Sequence, residues 1–95
     1  MKIGDVVIST AGHDMGEWYI VENTLGNYVF LVDGRYKLLE SPKQKKIKHI
    51  VKTKFFAEEI ASKLKLRQKV YDAEIQKTLK FFKNKIKENV CQKKM

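Results

Sequence analysis

Val6-Val7-Ile8-Ser9-Thr10-Ala11-Gly12-His13-Asp14-Met15-Gly16-Glu17-Trp18-Tyr19-Ile20-Val21 is the stretch on which the reading of this chain turns. Val6–Ile8 and Trp18–Val21 are β-branched and aromatic runs that suit strands. Between them Gly12 and Gly16 bracket His13-Asp14-Met15, and both glycines are candidates for positive φ or for close backbone approach. A strand, a glycine-bracketed loop and a second strand carry no catalytic set. That arrangement suits recognition better than chemistry.

Further strands follow. Gly26-Asn27 begins a turn, and Tyr28-Val29-Phe30-Leu31-Val32 is a nearly continuous apolar run. Asp33-Gly34 is a two-residue hairpin signal, because a type I′ turn needs positive φ at both central positions. It predicts that Arg35–Leu39 returns antiparallel to the preceding run. Glu40-Ser41-Pro42 breaks the pairing, and Ile47–Val51 is the candidate last strand. Short strands joined by tight turns predict a small half-open barrel.

The hydrophobic period then changes. Phe56, Ile60 and Leu64 recur every four residues, with Ala57 and Ala61 beside them, as one face of a short helix requires. Leu66–Lys69 links this helix to a second, which starts near Asp72 as a candidate N-cap with Glu74 in its first turn. Ile75, Leu79, Phe82, Ile86 and Val90 share one side of the second helix; Lys77, Lys80 and Lys87 project from the other, and Phe81 lies off the stripe. Such an apolar face most often docks on its own domain. Binding a partner protein or inserting in a ribonucleoprotein, and lying on an anionic membrane, are the alternatives, and Glu74 and Glu88 weigh against the membrane.

Charge is divided unevenly. Of the 95 residues, the first forty carry three basic side chains against six acidic, while residues 41–95 carry seventeen against five, for a net charge of +9. A split of this kind points to a polyanionic partner met through the second half. Lys43, Lys45, Lys46, Lys48, Lys52 and Lys54 cluster with no acid among them, where lysines that merely solubilise would alternate with acids. Only Arg35 and Arg67 are arginines. Lysine meets phosphate as a point charge, whereas arginine supplies the planar fork for reading bases, so contacts with a nucleic acid would be driven by backbone and shape.

Several classes are excluded. The first residues, Met-Lys-Ile-Gly-Asp, have no apolar run of a secretory signal, and no stretch approaches a membrane span. Cys91 is the single cysteine, which rules out an intrachain disulfide and a thiolate metal cage, and His13 and His49 do not form a metal-binding pair. These features are the expectation of a cytoplasmic protein without cofactor. Gly12–Gly16 lacks the Gly-Lys-Ser/Thr ending of a phosphate-binding loop, and no nucleophile motif is present. Catalysis is not expected.

Gly4, Val7, Ser9, Ala11-Gly12, Asp14 and Gly16, then Asp33-Gly34, the Pro42–Ile50 segment and Asp72-Ala73-Glu74-Ile75, form a pattern over nearly the full length. It resembles the KOW motif of short bacterial KOW-domain RNA-binding proteins, which are similar to KOW-class proteins of the archaeal and eukaryotic large ribosomal subunit. Gly16 would be the motif glycine. The chain departs from the pattern at His13 and Met15, where such loops usually carry basic residues. The resemblance implies an SH3-like barrel over residues 1–54, a helical C-terminal extension over 55–95, and binding to RNA, foremost ribosomal RNA, with ribosomal proteins as neighbours.

The expected contacts fall in two groups. Ala11, Gly12, His13, Asp14, Met15 and Gly16 would approach the sugar-phosphate backbone through small side chains and main-chain N–H groups. Lys43, Lys45, Lys46, Lys48 and His49 would supply the charge. Trp18, Tyr19 and Tyr36 are candidates for stacking on unpaired bases, although aromatic residues on strands more often belong to the core. The alternative is a protein-interaction module of a transcription or translation complex, using the barrel groove or the apolar helix face.

Overall fold

Five strands run antiparallel in the computed structural model, which describes residues 1–94, with side chains described through residue 86. β1 (Asp5–Ser9), β2 (Trp18–Leu25), β3 (Tyr28–Val32), β4 (Lys43–Lys46) and β5 (Ile50–Phe56) are followed by α1 (Glu58–Lys65) and α2 (Asp72–Lys94). The strand order is β4-β3-β2-β1-β5, so the first and last strands are neighbours and the fold is α+β. In a flat sheet β4 and β5 would lie four strand spacings apart, about 19 Å. Only a single 3-10 turn, Ile47–His49, joins them, and a chain of that length reaches no further than about 14 Å even when extended. The sheet therefore curls until its two edges approach.

Curling buries both faces. Val7, Tyr19, Val21, Val29 and Leu31 form the core on the inner face, closed over by Ile47 and Ile50 from the connection between the edges. Their immediate neighbours Val6, Ile20 and Val32 point the other way and pack with Ala57, Ile60, Ile75 and Leu79 of the helical segment. Side chains of successive strand residues alternate between faces, so a strand covered on both sides reads as an unbroken apolar run. That is the physical reason for the runs at Val6-Val7, Tyr19-Ile20-Val21 and Leu31-Val32.

The helices are held at their ends as well as by burial. Glu58 and Glu59 occupy the first turn of α1 and Lys63 and Lys65 its last, matching the helix dipole at both ends. α1 stops in a Schellman arrangement: Arg67 sits at φ +58°, the Gln68 N–H donates to the Lys63 carbonyl at 2.8 Å and the Arg67 N–H to Leu64 at 3.2 Å. α2 begins with the Glu74 carboxylate reaching back to accept the Tyr71 N–H at 2.9 Å, while the same carboxylate pairs with Lys63 of α1. Asp72, the expected N-cap, does something else. Its carboxylate accepts the Leu39 N–H at 2.9 Å, tying the loop before β4 to the start of α2. Ile75 and Leu79 are buried and Phe82 packs beside them, whereas Phe81 is 56% exposed, off the stripe as expected. The side chains of Lys87, Glu88, Val90 and Cys91 lie outside the described residues.

The strands differ from expectation at three points. Arg35–Leu39 is not a strand. The Asp33 carboxylate accepts the N–H groups of Arg35, Tyr36 and Lys37 at 2.8–2.9 Å, wrapping the chain around one oxygen rather than releasing it into a hairpin. β3 instead pairs with the lysine run itself, Val29 opposite Lys45 and Tyr28 opposite Lys46. Finally, the segment expected to be the last strand is divided: Ile47–His49 turns the corner, and the strand runs from Ile50 to Phe56. No described helix is long and apolar enough to cross a membrane.

Candidate nucleic-acid interface

β4 is an edge strand of Lys43, Gln44, Lys45 and Lys46. Lysines on an edge strand discourage pairing with another chain, and here they also concentrate charge beside the loop between β1 and β2. Ala11, Gly12, Tyr28, Lys43, Gln44, Lys45, Lys46 and His49 line one shallow, open groove of about 490 Å³. Ala11-Gly12 and the lysine segment, more than thirty residues apart in sequence, thus share one surface.

The join between them is Asp14. Its carboxylate accepts hydrogen bonds from the Ser9 hydroxyl at 3.0 Å, the Tyr19 hydroxyl at 2.8 Å and the Lys45 ammonium at 2.6 Å. The same ammonium donates to the Ala11 carbonyl at 2.8 Å, and that carbonyl lies 3.1 Å from the Ser9 hydroxyl, whose single proton it shares with Asp14. β1, β2, β4 and the loop therefore meet at one acid. Burial by itself would raise the pKa of Asp14, but the hydrogen bonds from Lys45, Tyr19 and Ser9, together with the Lys45 charge, hold it down to about 2. The Tyr19 hydroxyl is pushed up, first by burial and then by its bond to the Asp14 carboxylate.

This network sorts the expected site residues. Lys45 is only 10% exposed and its charge is neutralised by Asp14, so it shapes the loop. Lys46 and Lys48 are exposed and Lys43 half-buried; none of the three makes an ion pair among the described residues. Lys48 lies on the far side of the Tyr28–Lys46 pair, in a second depression with Asn27 and Ile47. His49 reaches the groove wall, and its carbonyl accepts the Thr10 N–H at 2.8 Å, fixing the corner against the loop base.

His13, Met15 and Gly16 stand at the exposed loop tip, away from the groove lining. Gly16 has φ +91° and open space where a Cβ would project. The Met15 N–H bonds to Gly12 and the Gly16 N–H to Ser9, so those two amides are occupied within the loop. Two groove residues escaped the sequence reading. Tyr28 was hidden in an apolar run, and Gln44 in a segment whose composition gave no sign of a strand.

The three aromatic candidates also separate. Tyr19 is buried and bound to Asp14. Trp18 is half-buried, its ring 6.4 Å from Phe55. Only Tyr36, at 72%, is freely exposed. Among the described residues no group of three histidine, cysteine or acidic side chains could hold a metal ion. No protein-family model matches the chain, and no curated protein sequence matches it either.

Proposed function

We propose that this chain is a non-enzymatic RNA-binding protein of the KOW class, its curled sheet an SH3-like barrel, acting on ribosomal RNA in a cytoplasmic, ribosome-associated setting. One observation carries the reading: the Ala11-Gly12 turn, the lysine edge strand and His49 meet around one open, basic groove. Lys43 and Lys46 of this groove and Lys48 of the adjoining depression contact phosphates, and Tyr28 and Lys46 line both hollows. Lys45 acts through Asp14 as a positioning residue, holding the loop against β4. Point-charge lysines in a shallow groove select shape and backbone with little reading of bases.

The test pairs Lys46→Glu with Lys48→Glu. Both side chains are exposed, so the double variant keeps the parent's melting behaviour within about 0.5 kcal/mol. Its affinity for a structured RNA falls by about tenfold or more at low salt. Unchanged affinity in the folded variant rejects the reading. Met15→Lys, which restores the basic character of related loops, strengthens binding and steepens its salt dependence by about one phosphate contact.

A second reading, a protein-interaction module, is favoured by the cleft between α1 and α2. Exposed Phe81 lines it with Phe56 and Ile60, beside Glu58, Glu59 and Glu74. Copurification after nuclease treatment separates the two: an RNA partner is lost, and a protein partner is retained.

A further inference from the structure

A second basic surface lies apart from the lysine strand. Trp18, Arg35, Tyr36, Lys77, Lys80 and Lys83 line a groove of about 630 Å³ between the Asp33–Lys37 loop and α2. Lys80 and Lys83 are three residues apart on a helix and therefore neighbours on its surface. The acids at this groove are Glu17 and Asp33. Arg35, Lys77, Lys80 and Lys83 outnumber these two acids, so the lining is net positive.

Tyr36 is the informative residue. A tyrosine 72% exposed contributes little to any core, yet the loop carrying it is firmly held. Gln76 of α2 donates to the Gly34 carbonyl at 2.6 Å, and the Leu39 N–H reaches the Asp72 carboxylate. The Arg35 guanidinium lies 5.2 Å from the Tyr36 ring centre, keeping a planar cation beside the aromatic face. A ring presented on a loop whose order is already fixed, with lysines across the groove, has the make-up of a stacking platform for unpaired bases.

We propose that this groove is a second subsite that takes single-stranded nucleotides of the bound RNA. A base stacks on Tyr36 while its flanking phosphates meet Arg35, Lys80 and Lys83. The inference rests on the RNA-binding reading and deepens it. The first groove meets the backbone of folded RNA, and the second requires bases free of pairing.

Trp18 is the chain's single tryptophan and lines this groove, so its fluorescence reports occupancy. The full chain is titrated with a ten-nucleotide oligouridylate and, separately, with a blunt RNA hairpin. The oligouridylate is expected to quench Trp18. Tyr36→Ala should weaken oligouridylate binding about fivefold or more, and Lys80→Glu with Lys83→Glu about tenfold at low salt. Hairpin affinity should change far less in both, with circular dichroism confirming that the variants are folded.

Oligouridylate that leaves Trp18 emission unchanged, or that binds these variants as tightly as the parent, overturns the subsite. The RNA-binding reading is judged apart from it, by hairpin binding to the Lys46→Glu, Lys48→Glu variant. Failure of both RNAs to bind overturns both proposals. Equal quenching by polyglutamate also overturns the subsite, and marks the groove as a seat for an acidic protein surface.

Discussion

Two loops of this molecule are each organised by one aspartate, and they use it in opposite ways. In the loop between β1 and β2, Asp14 collects side chains from three strands: Ser9, Tyr19 and Lys45. In the loop after β3, Asp33 collects the backbone N–H groups of the residues that follow it. The first is a long-range junction that holds an edge strand to the sheet. The second is a local wrap whose placement depends on contacts made elsewhere in the loop. The glycines differ in the same sense, since Gly16 faces open space while Gly34 is buried against the start of α2.

The largest effect should come from the glycines. Gly34 has φ +75°, and a Cβ there would strike the Asp72 carbonyl oxygen and crowd Ile75. Gly34→Ala should therefore cost about 3–5 kcal/mol, combining left-handed strain with overpacking. Gly16→Ala carries only the strain, about 1–2 kcal/mol. Denaturant unfolding of the two variants measures the difference directly. Equal losses would mean that the two loops are supported alike.

Next comes the junction itself. Asp14→Ala leaves the 10%-exposed Lys45 ammonium and the Tyr19 hydroxyl without their shared acceptor, and should cost about 2–3 kcal/mol. A related loss should appear with acid. Asp14 has its pKa lowered from 3.8 to about 2, so its contribution is fully present above pH about 4 and is lost as pH falls from there through about 2. The amount is about 2 kcal/mol. In Asp14→Ala the stability curve between those pH values should be correspondingly flatter, which urea titrations at successive pH values will reveal.

The smallest effect belongs to the local wrap. Asp33→Ala exposes backbone amides that water can reach, and should cost about 1 kcal/mol. If it matches Asp14→Ala, the distinction between a long-range and a local aspartate does not hold.

The same distinction explains what was legible in the sequence. β1, β2 and β3 announce themselves through β-branched and aromatic runs, and the helices through four-residue spacing, because these signals are local. Lys43–Lys46 contains no residue that favours a strand, so β4 could be found only through its partner β3. Asp33-Gly34 carries a strong hairpin signal, but the Asp33 carboxylate captures the following amides before a strand can form. For the candidate site, the glycine loop and the lysine cluster were both visible, but that Ala11-Gly12 and the lysine strand share one groove came only with the fold. What could not be read was that Lys45 turns inward to Asp14, thirty-one residues away, while Lys46 next to it stays exposed. Nor could spacing show that Tyr19 and Tyr36, both plausible stacking residues, have opposite fates. Tyr19 is decided by the Asp14 junction, and Tyr36 by the ties that hold its loop to α2.

The proposed function requires that Lys43, Lys46 and Lys48 neutralise RNA phosphates. The direct measurement is the affinity of the full chain for a duplex-bearing RNA as a function of salt. With Lys43, Lys46 and Lys48 each neutralising one phosphate, log K against log salt should slope at about −3. Lys46→Gln combined with Lys48→Gln should make that slope shallower by about two. Lys45→Gln should reduce stability with little change in slope. A flat salt response, or a slope that responds to Lys45 and not to Lys46 and Lys48, would contradict the account.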